Sequence, residues 1–184
     1  DSDGTKTLIE PEVEIPRLDE LQRHELAVLS TSQQSQWVIW SLDKESTAYN
    51  VSIVLRMQGE LDVNALRRAW KSVVQRHESL RTLFSGGEDG SGQQLVLSGV
   101  PAEIQVFEMP HSIVSKETAS PAPTTVEKVY QHLNGDPFNL TEGPLWRIAL
   151  VQESDRTNYL MVVLHHIITD GVSVQLMLNE LADF

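Results

Sequence analysis

The chain of 184 residues contains no cysteine. That absence excludes disulfides, thiolate metal sites and cysteine nucleophiles, and it fits a reducing, cytoplasmic setting. Long apolar runs are missing too: none approaches the roughly 20 residues a membrane span needs. The opening stretch 1-DSDGTKTLIEPEVEIPRLDE-20 is polar and acidic, without the basic and apolar regions of a signal peptide. Positive charge is scarce, with 14 Lys and Arg against 26 Asp and Glu and a formal net charge of -12. Such a chain repels nucleic acid and anionic membranes, and no basic patch with interleaved aromatics offsets this, so neither partner is expected.

What remains is an ordinary globular composition, 40% hydrophobic and 22% charged, long enough for one domain with a sizeable core. Residues 1–26 lack a sustained period and carry Pro11 and Pro16, and are expected to be a linker before a domain at 27–184. Helices are predicted over 30–43, 62–80, 125–135 and 172–184. In the second, Ala65, Leu66, Ala69, Val73 and His77 share a face and Asp62 is placed as N-cap. Strands are predicted at 49–59, 81–84, 93–98, 103–108, 145–152 and 158–166, the last two joined by a polar turn. Exposed loops are expected at 85–93 and 115–125. This irregular alternation with a hairpin predicts an α/β (α+β) sandwich with a mixed sheet flanked by helices. Asn50-Val51-Ser52 and Asn139-Leu140-Thr141 match the glycosylation pattern by chance.

The stretch 160-LMVVLHHIITDGVSVQLML-178 is the most informative. An apolar strand ends in His165 and His166, and a helical rhythm resumes after Asp170-Gly171. Neighbours on a strand point to opposite faces, so one histidine can face the core while the other faces a cleft. Junctions of this kind between a strand and a helix commonly carry functional groups in open α/β sheets. Asp170 can order the turn, cap the last helix or hold a partner that orients the histidine. A metal site is disfavoured, because adjacent strand histidines diverge.

The string 165-HHIITDG-171 resembles the HHxxxDG signature of the condensation domains of nonribosomal peptide synthetases, relatives of chloramphenicol acetyltransferase. Three further stretches agree in the family's order. The segment 76-RHESLRTLF-84 resembles RHExLRTxF, 137-PFNLTEGPLWRIAL-150 is similar to PFDLxxGPLxRxxL, and 49-YNVSIVLRMQGELD-62 resembles the first strand and its G-x-L-D helix entry. The stretch 30-STSQQSQW-37 departs from SxAQxRxW at Ser32 and Ser35, and no function is carried onto it. Val172 stands where the family often has tryptophan.

The resemblance implies the N-terminal lobe of a chloramphenicol-acetyltransferase-like pair, the C-terminal lobe being absent. It implies acyl transfer from a carrier-protein thioester to an amine or hydroxyl, in peptide or hybrid polyketide–peptide synthesis. Both substrates ride on phosphopantetheine arms of donor and acceptor carrier proteins, and no cofactor is bound directly. By the same resemblance His166 faces the tunnel between the lobes and His165 packs on the other side. Gly171 is placed as an oxyanion donor at a helix N-terminus. Asp170 is expected to fix the loop through an ion pair, with Arg81 as candidate partner. No serine or cysteine nucleophile is needed, in keeping with the lack of a G-x-S-x-G elbow. Two other classes stay open: a non-catalytic carrier-protein docking lobe, and a glycerolipid-type acyltransferase, whose H-x4-D spacing His165 and Asp170 also satisfy.

Overall fold

The computed structural model of the chain describes residues 27–87, 90–108 and 124–184. The expected linker at 1–26 and most of the loop at 115–125 lie outside the described residues.

The main sheet has four strands in the order β2, β7, β6, β5: β2 is Asn50–Gln58, β5 Gln105–Glu108, β6 Trp146–Ser154 and β7 Thr157–His165. β2, β7 and β6 run antiparallel and β5 joins β6 in parallel, so the sheet is mixed. A smaller antiparallel sheet is ordered β1 (Ala27–Val28), β4 (Gly92–Val96), β3 (Thr82–Gly86). The helices are α1 (Thr31–Leu42), α2 (Val63–Arg76), α3 (Thr125–Gly135) and α4 (Gly171–Asp183). Short 3-10 turns occupy Glu78–Arg81 and His166–Ile168.

Register assigns the layers. Ser52, Val163 and Arg147 lie opposite one another and share one face of the sheet. The Ser52 hydroxyl meets the Tyr130 hydroxyl of α3 at 3.1 Å, so α3 covers that face. Val51, Leu164 and Trp146 share the other face. There Trp146 meets Trp70 of α2 edge-on with centroids 4.9 Å apart, and α4 packs beside α2. Both faces being covered, β7 reads as an unbroken buried run from Leu160 to His165 instead of an alternating one.

Local chemistry sets the helix starts. Ser30 and Gln33 form a reciprocal capping box on α1, and Thr124 with Glu127 forms another on α3. Asp62 accepts the Asn64 and Ala65 N–H groups, as its predicted cap role requires. The buried face of α2 is Leu66, Ala69, Trp70, Val73 and Val74. His77 leaves that face, because the helix stops at Arg76 and the chain tightens into a 3-10 turn. Two glycines expected in the loop at 85–93 are strand residues, and at one of them only glycine fits. A Cβ on Gly92 would collide with Leu29 Cδ1 and lie 2.9 Å from Trp37 Cγ.

Candidate active site

β7 ends at His165, one residue short of the predicted strand, and the two histidines part there. The His165 N–H donates to Leu145 O at 3.0 Å and the His166 N–H to Tyr49 O at 2.8 Å. The chain then turns through the 3-10 helix, so the direction of His166 is set by that turn and not by the pleat. His165 is 3% exposed and His166 lies on the surface.

Each imidazole has a defined hydrogen-bond role. His165 Nδ1 accepts the Ile167 N–H at 3.1 Å, so this nitrogen carries no proton. Its ring packs near Tyr49 and edge-on to Phe138. Burial, and secondarily the neighbouring His166, push the His165 imidazolium down from 6.5 to about 4, so the ring is neutral at pH 7. His166 Nδ1 lies 2.8 Å from the carbonyl oxygen of Thr169. A carbonyl can only accept, so Nδ1 donates its proton. In the neutral ring Nε2 then carries the lone pair.

Gly171 opens α4 as its first helical residue, with its N–H among the unsatisfied donors of a helix N-terminus. Asp170 is the N-cap: its Oδ1 accepts the Ser173 N–H at 2.8 Å and the Ser173 hydroxyl at 2.7 Å. Those bonds hold its carboxyl below the usual carboxylate range.

The expected ion pair of Asp170 with Arg81 does not form among the described residues. Arg81 spends its guanidinium on main-chain oxygens, Nε on Val74 and Nη2 on Gln75, with Nη1 on Leu97. It ties the end of α2 to the end of β4, while Asp170 is exposed and caps its own helix. An exposed cap has its charge met by the helix N-terminus and needs no cation.

Two residues without a predicted role support the site. Arg147 donates to Leu133 O, Asp136 O and Pro137 O at 3.0, 2.8 and 2.7 Å, and its guanidinium carbon lies 3.8 Å from the centre of the Phe138 ring. It thereby fixes the ring that packs on His165. Gln33 reaches from α1 to Ile167 O, inside the His166 turn, at 3.3 Å. Arg147 sits in the quoted PFNLTEGPLWR stretch, and the spacing of Ser30 and Gln33 is that of a capping box.

The family model of the condensation domain matches residues 23–184. The chain belongs to the condensation-domain family. It is 36% identical over 154 residues to surfactin synthase subunit 1 of Bacillus subtilis (strain 168), covering 84% of this chain and 4% of that protein. It is 32% identical over 155 residues to bacitracin synthase 2 of Bacillus licheniformis, covering 84% of this chain and 5% of the synthase. Among solved structures, the starter condensation domain of rhizomide synthetase RzmA superposes with a TM-score of 0.71 at 25% identity, over 86% of this chain and 36% of that one. The first condensation domain of the calcium-dependent antibiotic synthetase, in complex with substrate analogue 2a, gives 0.75 at 21% identity, with 86% and 36% covered. The condensation-domain fold is therefore shared, and the chain spans about a third of the solved relatives' length, as expected for an N-terminal lobe. Among the described residues, no helix is long and apolar enough to cross a membrane.

Proposed function

We propose that this chain supplies the histidine-bearing lobe of a condensation domain that joins two carrier-bound substrates. A thioester donor and an amine or hydroxyl acceptor, each on the phosphopantetheine arm of a carrier protein, give an amide or ester. The observation that carries the reading is the tautomer of His166. With Nδ1–H committed to Thr169 O, Nε2 is the nitrogen that takes the acceptor's proton as its amine attacks the thioester carbonyl. The tetrahedral oxyanion would be met by the N–H of Gly171 at the start of α4. The carbon–sulfur bond then breaks, and the proton leaves His166 with the thiol of the donor arm.

In this reading His165, Asp170 and Arg81 support the reaction without touching substrate. His165 fixes the end of β7, Asp170 caps α4, and Arg81 holds α2 against β4. The surface position of His166 leaves one wall of the substrate channel to be provided by a second lobe. It also keeps a non-catalytic docking lobe as the competing outcome.

The test is single-turnover condensation by a two-lobe domain carrying this sequence, with donor- and acceptor-loaded carrier proteins and product read by mass spectrometry. His166→Ala is expected to remove product while both carriers still bind. Wild-type protein that binds both carriers and forms no product would support the docking reading.

A further inference from the structure

Among the described residues, Gln33 is the one side chain outside the His166 segment that hydrogen-bonds into the turn between His166 and Thr169. Its amide is fully used. Oε1 accepts the Ser30 N–H at 3.0 Å, closing the capping box of α1. Nε2 donates to Ile167 O at 3.3 Å and faces Gln94 Oε1 at 3.5 Å. Gln94 in turn donates its own amide to Val28 O at 3.1 Å. A line of two side-chain amides thus runs from the edge strand β1, through β4 and α1, into the turn that aims the histidine. The turn is held besides by the backbone bond of the His166 N–H to Tyr49 O at 2.8 Å and by two local bonds, His166 Nδ1 to Thr169 O and the Thr169 N–H to His166 O at 3.4 Å.

From this we infer that Gln33 is a positioning residue for His166, fixing the 3-10 turn so that Nδ1 keeps its carbonyl partner and Nε2 stays the unprotonated nitrogen. The inference rests on the acyl-transfer reading only for its kinetic consequence; the effect on the ring is independent of it. A carboxylate is a good capping-box residue at this helix position but has no proton to give a carbonyl. Gln33→Glu therefore separates the two jobs of the side chain. It keeps an acceptor for the Ser30 N–H, and it sets a proton-free oxygen against Ile167 O and Gln94 Oε1.

The direct readout is the nitrogen-15 NMR spectrum of the His166 ring at a pH where it is neutral. Wild type is expected to show one tautomer, with Nδ1 of the protonated type and Nε2 of the unprotonated type. Gln33→Glu is expected to show averaging of the two nitrogens and faster exchange of the Nδ1 proton, with α1 still formed. Gln34→Glu makes the same charge change one residue on while keeping the oxygen that accepts the Gly92 N–H, and is expected to leave the ring unchanged. In the two-lobe domain, Gln33→Glu is expected to lower kcat about ten- to a hundredfold with KM little changed, the effect of a misaimed group. A folded Gln33→Glu protein whose His166 ring keeps the wild-type tautomer and exchange overturns the inference. So does an equal change in Gln34→Glu. A Gln33→Glu ring effect in a domain whose wild type makes no product would leave the positioning role standing and remove the acyl-transfer reading.

Discussion

His77 Nε2 lies 2.7 Å from Glu180 Oε2, a contact that joins the C-terminal cap of α2 to the last turns of α4. Arg76 Nε holds the other carboxylate oxygen at 3.2 Å. The helix whose first turn carries Asp170 and Gly171 is thus anchored near its far end by two consecutive residues of the RHESLRTLF stretch. Glu180→Ala is expected to lower stability by about 1–3 kcal/mol, the range for losing a partly buried hydrogen bond to a charged group. Urea denaturation checks it, and an unchanged midpoint would show that the contact contributes nothing to stability.

The two histidines are expected to separate stability from turnover. His165→Ala removes a buried ring wedged against Tyr49 and Phe138 and the acceptor of the Ile167 N–H. The loss is expected to be about 2–4 kcal/mol, as for other large-to-small changes in a core. His166→Ala removes an exposed ring and is expected to cost less than about 1 kcal/mol. Thermal melts of both variants beside single-turnover assays make the comparison. A normal melt for His165→Ala with lost turnover would reverse the roles.

His165 also dictates a pH dependence. Its imidazolium is disfavoured in the fold, with the pKa near 4 against the ordinary 6.5, so the unfolded chain binds more protons between those values. Its contribution is fully present above about pH 6.5, declines as pH falls toward 4 and is constant below. The swing is on the order of 3 kcal/mol at roughly 1.36 kcal/mol per pKa unit. Denaturation midpoints measured across that window should rise with pH in wild type and rise less steeply in His165→Gln. Equal slopes would show that His165 does not titrate between folded and unfolded states.

Asp170 should behave as a cap and not as half of an ion pair. Asparagine caps as well as aspartate, whereas alanine offers no acceptor to the Ser173 N–H. Asp170→Asn is expected to melt close to wild type, and Asp170→Ala on the order of a few degrees lower. Because its pKa is lowered in the fold, the cap's contribution is present above the unfolded-state value and is lost as pH falls through the folded one. If Arg81→Met and Asp170→Ala proved strongly coupled in a double-mutant cycle, the cap assignment would fail.

Much of this organisation is legible in the residues alone, wherever one short stretch carries its own explanation. Leu66, Ala69 and Val73 on the face of α2 follow from helical spacing, though Trp70 and Val74 take the places expected of Ala65 and His77; the Asp62 cap follows from its residue type, and the buried run of β7 from its apolar residues. What escapes are features made by chain-distant backbone. Arg81 is expected from the sequence to pair with Asp170 and Arg147 carries no predicted role, yet both bond to carbonyl oxygens of turns and helix ends. No side-chain pattern records where a carbonyl will point. The two-residue strand β1 and the 3-10 turns are too short to show a period, so the exit of His166 from the strand is not legible either. Glu180 reads as a solvent-facing charge until the fold brings it to His77, 103 positions away.

The 184-residue chain by itself is expected to fold but not to condense. Its core is continuous from α2 through the sheet to α3, with Trp70, Val73, Leu164 and Leu133 almost wholly buried. The site is different. His166 is open to water, and α4 beside it presents Val172, 80% exposed, and Leu176, 50% exposed, four positions apart on one helical face. On the proposed reading, water around an exposed His166 would raise the local dielectric and weaken the interactions that must favour the transition state. On the proposed acyl-transfer reading, a single wall would not hold the acceptor arm against the donor thioester, so the gain from proximity would be missing as well. The uncovered apolar face should also draw copies together at high concentration, more weakly in Val172→Lys. Incubating the purified chain with acyl-loaded and acceptor-loaded carriers decides the matter. Turnover at the rate of a two-lobe domain would mean that this lobe holds a complete site, and the case for a shared channel would fall.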